Sequence, residues 1–274
     1  MKTKVFVIIM LVLIIVSCRP NNEKSLIENG NIYKNKGQYE LAIKMFTLAI
    51  EIDPKNVEIY LLRANCYDSI RKYDLAIVDY TSILRINPKI QNVFSYRAYV
   101  FNKLSKSDLA IADYTSEIKN YPNEYIAVYN RGYIYYLKGN FDLALKDFDR
   151  SIKINPNDFL VYRSRGDLYI SLKNEKQAIL EYTHAIKLKP DDYISFNFRG
   201  VCYRYVGNNN LALSDFNSSI RINPNYEGGY INRGVLYEVL GKKELAIINL
   251  KKSVDLGVKV GSNILKEDYN IVYP

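Results

Sequence analysis

The sequence predicts an all-α solenoid, a stack of about seven helical hairpins, and three observations predict it. The first is a period. Pro54, Pro88, Pro122, Pro156, Pro190 and Pro224 stand 34 residues apart without an insertion or deletion. A fixed period of this size marks an architecture that grows by adding units, not one or two globular domains. The second is that other residues keep the same step. An alanine stands 12 before each proline (Ala42, Ala76, Ala110, Ala144, Ala178, Ala212), and an aromatic stands 8 before (Phe46, Tyr80, Tyr114, Phe148, Tyr182, Phe216). The third is helical spacing inside a repeat. Tyr60, Ala64 and Tyr67 fall at i, i+4 and i+7 and share one helix face, as Ala76, Tyr80 and Ile83 share another.

In chain order, residues 1–17 read as a secretory signal. Lys2 and Lys4 precede an apolar run from Val5 to Val16, which is too short to span a bilayer comfortably. The run ends in Ile15-Val16-Ser17-Cys18, which resembles the bacterial lipoprotein signal. That resemblance implies cleavage before Cys18 and a lipid on its thiol, with residues 18–22 as lipidated cysteine and linker. Two or more acyl chains hold a protein at a membrane where one does not. The linker could reach at most about 18 Å when extended, so the first repeat is expected close to the bilayer.

Seven repeats follow, 23–56, 57–90, 91–124, 125–158, 159–192, 193–226 and 227–260, and a C-terminal cap or tail over 261–274. With each proline counted as position 32, helix A is expected over about positions 2–14 and helix B over about 18–30. Gly or Ala at position 8 and Ala at position 20 let the two backbones approach. Each proline stops helix B, because it disfavours helical geometry in the residue before it. Ser25 and Glu28 offer a capping box at the first helix. Gly37, Gly139, Gly207 and Gly241 suit the turn between helices A and B. Repeat 7 has Val258 where the proline is due, and Ile264–Tyr269 reads as a short capping helix over the last apolar face. Cys66 and Cys202 both occupy position 10, four repeats apart, so they read as packed thiols and not as a disulfide.

One pattern needs a reason of its own. Arginine recurs at position 7 (Arg63, Arg97, Arg131, Arg165, Arg199, Arg233) and an acid at position 23 (Asp79, Asp113, Asp147, Glu181, Asp215). Repeat 1 has neither. A planar guanidinium suits a bidentate carboxylate, so the two series predict rungs between helices A and B. Whether each arginine meets the acid of its own repeat or of the preceding one stays open in the sequence.

The whole pattern over about residues 23–260 resembles the tetratricopeptide repeat. The resemblance implies a right-handed superhelix that serves as a protein-binding scaffold, with a concave face lined by helix A positions 2, 5, 9, 12 and 13. Those positions give Tyr99 and Asn102 in repeat 3, Tyr129, Tyr133 and Tyr136 in repeat 4, Arg163 and Asp167 in repeat 5, and Asn197, Arg204 and Tyr205 in repeat 6. They form an aromatic groove for a peptide or helix of an unidentified protein partner. The family's clamp for C-terminal carboxylates is not matched, since its best window offers Asn31 alone.

Catalysis is not expected. His184 is the single histidine, no phosphate loop or nucleophile motif is present, and neither a cofactor nor a metal is implied. The formal charge is +9, with the excess concentrated in repeats 5 to 7. It reads as a solvated basic face without a nucleic-acid motif. Arg19 after Cys18 replaces the aspartate that retains some lipoproteins in the inner membrane, which favours the outer one by analogy. The sequence therefore points to a lipid-anchored scaffold of a bacterial envelope. A self-assembling structural module is the second reading.

Overall fold

The protein is described by a computed structural model covering residues 22–257, 259–269 and 271–273. Cys18 and the signal-like segment lie outside the described residues. Among those residues the fold is all-α: fifteen helices and no strand. They are α1 (Glu23–Asn35), α2 (Tyr39–Ile52), α3 (Val57–Ser69), α4 (Tyr73–Ile86), α5 (Val93–Lys103), α6 (Ser107–Asn120), α7 (Tyr125–Leu137), α8 (Phe141–Ile154), α9 (Phe159–Ser171), α10 (Glu175–Leu188), α11 (Tyr193–Tyr205), α12 (Asn209–Ile222), α13 (Glu227–Val239), α14 (Lys243–Asp255) and α15 (Lys259–Tyr269). Odd numbers up to α13 are helix A of a repeat and even numbers are helix B. The chain divides into two compact units, Met1–Ala127 and Val128–Pro274. Within each, a hairpin packs on the next one in sequence.

The small residues explain the hairpins. Ala42, Ala64, Ala76, Ala98, Ala110, Ala144, Ala178, Ala212 and Ala246 are fully buried, and the position-24 ring fills the space beside them. Phe46, Phe148 and Phe216 are fully buried, and Tyr80 and Tyr114 almost so. Gly200 shows how tight the approach is. A Cβ there would lie 2.7 Å from Cε1 of Phe216 and 3.2 Å from the Ala212 carbonyl oxygen. Truncating such a ring to alanine costs about 3–5 kcal/mol.

Helix A begins one residue earlier than its apolar pattern indicates, and in several repeats the residue before it caps it. Side-chain oxygens of Asn22, Asn56 and Asp158 accept the backbone N–H of Lys24, Glu58 and Leu160 at 3.1, 3.1 and 2.9 Å. Asn22 is therefore the cap of α1, and the expected Ser25/Glu28 capping box is inside the helix. Repeat 3 departs from this. Asn92 takes a left-handed conformation (φ 69°), α5 starts later, and the buried Glu117 accepts the Asn92 N–H through Oε1 at 2.8 Å. Burial pushes the Glu117 carboxyl above its ordinary range, against the backbone N–H groups of Asn92 and Ser95 that favour its charge.

The turn between helices A and B has one geometry in all seven repeats. Position 15 is left-handed in each: Gly37, Arg71, Ser105, Gly139, Lys173, Gly207 and Gly241. In repeat 1 the Gly37 N–H donates to the Lys34 carbonyl at 3.0 Å and the Gln38 N–H to the Tyr33 carbonyl at 2.9 Å, a Schellman closure. Three repeats impose that conformation on a residue with a Cβ.

The C-terminal helix is longer than the expected Ile264–Tyr269, starting at Lys259. Leu265 is fully buried. The following strip folds back, with the Ile271 N–H on the Leu265 carbonyl at 2.9 Å and the Tyr273 hydroxyl on Asp255 Oδ1 at 2.8 Å. Cys66 and Cys202 are buried free thiols, as their position implies.

Candidate functional site

The arginines of position 7 are internal struts. Five of the six meet the acid of their own repeat, which settles the alternative left open by the sequence, and Arg233 meets Asn249 at the same position. Arg63 donates from Nε and Nη2 to both Asp79 oxygens at 2.9 and 2.7 Å. Arg97–Asp113 sits in the same unit, and Arg131–Asp147, Arg165–Glu181 and Arg199–Asp215 repeat the fork in the second unit. The remaining nitrogen reaches position 25 of the preceding repeat: Arg63 to Thr47 at 2.9 Å, Arg97 to Thr81 at 2.9 Å, Arg199 to Thr183 at 3.1 Å. One side chain thus ties three helices. Hydrogen bonding to Asp147 raises Arg131 above its ordinary value, more than burial lowers it. The aromatics at positions 4 and 11 flank the guanidinium. Arg63 lies 5.7 Å from the Tyr60 ring and 5.9 Å from the Tyr67 ring, and Arg199 is placed likewise by Phe196 and Tyr203. The signal for this was in the sequence, as aromatic-x-x-Arg-x-x-x-aromatic.

The predicted groove residues fall into distinct settings. In the first unit, Tyr99 is half exposed on α5 with Lys103 Nζ 5.1 Å from its ring, and Asn102 is half-buried nearby. In the second unit, Tyr129, Tyr133 and Tyr136 form a run along α7. Their ring centroids are 6.2 and 6.0 Å apart. Tyr133 is the exposed member, while the hydroxyls of Tyr129 and Tyr136 pair with Ser164 and Ser171 of α9 at 3.1 and 3.4 Å. Leu137 flanks the run and is exposed.

Three predicted residues are taken up internally. Arg163 donates from Nη1 to Asp192 Oδ1 at 3.0 Å, and Asp192 caps α11 and accepts the Ser195 hydroxyl at 2.5 Å. Asn197 is buried. Its amide nitrogen donates to the Tyr226 hydroxyl at 3.3 Å and its oxygen accepts from Asn232 at 3.0 Å. Asp167 is half-buried and accepts the Tyr182 hydroxyl at 2.5 Å. Burial pushes its carboxyl above the usual range, outweighing the pull of Tyr182 and Arg163. The guanidinium of Arg204 lies 4.6 Å over the strongly exposed ring of Tyr205. Sequence reasoning missed Tyr182, Asp192 and Tyr226, because their partners sit 15 or 29 residues away.

His184 is exposed and stacks on Tyr162 at 5.4 Å. Among the described residues, no group of three or more His, Cys, Asp or Glu side chains could hold a metal ion, and no helix is long and apolar enough to cross a membrane.

Hairpins of this geometry, stacked at one register, define an α-solenoid of helical repeats. Tetratricopeptide repeats are found in the chain: models described as tetratricopeptide or TPR repeat match residues 30–68, 57–90, 125–158 and 161–192. No curated protein matches the chain. Among solved structures, a tetratricopeptide repeat protein from Parabacteroides merdae is 24% identical, with a TM-score of 0.68 over 89% of this chain and 97% of that one. The C-terminal part of a TPR repeat-containing protein from Cytophaga hutchinsonii is 23% identical, with a TM-score of 0.70 over 88% and 99%. YrrB, described as a TPR protein with an unusual peptide-binding site, is 21% identical, with a TM-score of 0.55 over 65% and 92%. At these identities the likeness is one of fold.

Proposed function

We propose that this protein is a non-catalytic interaction scaffold, held to a bacterial envelope membrane through lipidated Cys18, that binds a peptide or helix of a partner on the helix A face of its repeats. The observation that carries the binding site is the tyrosine run of α7. Tyr133, with Leu137, offers large rigid apolar area to solvent. The Tyr129 and Tyr136 hydroxyls are already fixed by serines of the next hairpin, so the surface is ordered before a partner arrives and little entropy is lost on binding. Tyr205 and Tyr99 extend the same type of surface on their own helices. YrrB, similar in fold, is described as having a peptide-binding site. The membrane half of the reading rests on Cys18 at the end of its apolar run, and Arg19 favours the outer membrane.

Two experiments test the halves separately. Cys18→Ala should release the protein from the membrane fraction and change its mass; a variant still membrane-bound and unchanged in size contradicts the anchor. Crosslinking in cells followed by mass spectrometry should show one partner lost from a Tyr99→Ala/Tyr133→Ala/Arg204→Ala variant that keeps its helical circular dichroism. An unchanged partner set contradicts the site.

A further inference from the structure

Repeat 7 keeps the arginine of position 7 but not the acid of position 23. Arg233 donates from Nε to Asn249 Oδ1 at 2.9 Å and from Nη1 to Asn217 Oδ1 at 2.7 Å. Both acceptors are neutral amides. The Asn249 amide nitrogen is committed to the Leu245 carbonyl at 2.7 Å. Nη2 of Arg233, which in the other rungs holds the second carboxylate oxygen, has no hydrogen-bond partner among the described residues. Every other arginine of the series closes on a carboxylate.

The guanidinium opens on a surface depression shared with Tyr230, Ile248, Lys251, Lys252 and Asp255. Lys251 stands at position 25, where the earlier repeats place Thr47, Thr81, Thr115, Asp149, Thr183 and Asn217. The depression therefore gathers three cations and one carboxylate. That carboxylate is engaged, since Asp255 Oδ1 accepts the Tyr273 hydroxyl. The Tyr230 ring lies 5.6 Å from the Arg233 guanidinium, and Ile248 is 62% exposed beside it.

We propose that this depression binds the carboxylate of an aspartate or glutamate side chain on a partner polypeptide. The protein itself shows what the place selects. Five times in this chain the same arginine, at the same register, takes an acidic side chain through a bidentate fork. In repeat 7 the fork is oriented by two asparagines and left without its anion. Lys251 and Lys252 add the field that draws an acid in, and Ile248 with Tyr230 receives the apolar part of its side chain. The site uses none of the residues of the tyrosine face and does not depend on it.

The test uses the full chain with ¹⁵N-labelled arginine, its Nε–H resonances followed by NMR. The probe is a short peptide with blocked termini carrying one aspartate; its asparagine twin and inorganic phosphate are the controls. The aspartate peptide should shift the Arg233 resonance saturably and the asparagine twin should not. Asn249→Asp, which fills the rung from within, should weaken binding by about fivefold, the scale of one exposed ion pair. A Lys251→Gln/Lys252→Gln variant, altered at surface lysines, should also weaken it, and added salt should do the same. Equal affinity in these variants, equal binding of the asparagine peptide, or tighter binding of phosphate than of the peptide would each overturn the proposal.

Discussion

Repeats 2 and 7 share one register and close their hairpins by different means. In repeat 2, Arg63 and Asp79 form a rung with side chains 15% and 1% exposed. In repeat 7, Arg233 meets the amide of Asn249. The turns differ in the opposite sense. Repeat 2 forces Arg71 to φ 59°, whereas repeat 7 has Gly241 at φ 71°. Position 10 is a buried thiol, Cys66, in one and Leu236 in the other. The 34-residue frame fixes where the helices run, and the interactions that close each hairpin vary inside it. A repeat that needs no internal anion is free to offer its arginine outward.

The largest effect that would break this comparison is at the rung. Asp79→Ala strands a mostly buried guanidinium and should cost about 3 kcal/mol, read from the urea midpoint. Asn249→Ala removes only a neutral acceptor and should cost about 1 kcal/mol. Equal losses would show that the ionic rung has no special weight. A pH effect comes next. Burial pushes the Cys202 thiol, at the same position 10, from 9.0 up to about 12. A raised folded value means the folded state holds its proton longer. The stability this contributes is complete below about pH 9 and lost as pH rises towards about 12. Cys202→Ala should flatten the decline of thermal stability across that window. The smallest effects lie in the turns. Gly241→Ala should destabilise by about 1 kcal/mol and Arg71→Gly should stabilise by a similar or smaller amount, because a Cβ is disfavoured in the left-handed region. Opposite signs in thermal melts would sharpen the contrast between the two repeats.

Much of this was legible in the sequence. The prolines and alanines placed the hairpins because close helix approach and helix termination act on neighbouring residues. The arginine and acid series announced rungs because both recur at one step. What stayed hidden depended on distance along the chain. Arg163 and Asn197 read as groove residues, yet Asp192, Tyr226 and Asn232 occupy them. The choice between an arginine's own repeat and its neighbour was likewise a matter of helix packing. The late start of α5 turns on Glu117, at a place where other repeats carry Ala49, Ile83 or Ser151.

The central functional claim is that partners meet the helix A face at Tyr133. A photo-crosslinking residue at Tyr133, compared in cells with one at Leu143, an exposed helix B position, tests it most directly. The account predicts a discrete protein adduct from position 133 and none from 143. Adducts from 143 alone, or equally from both, would contradict it.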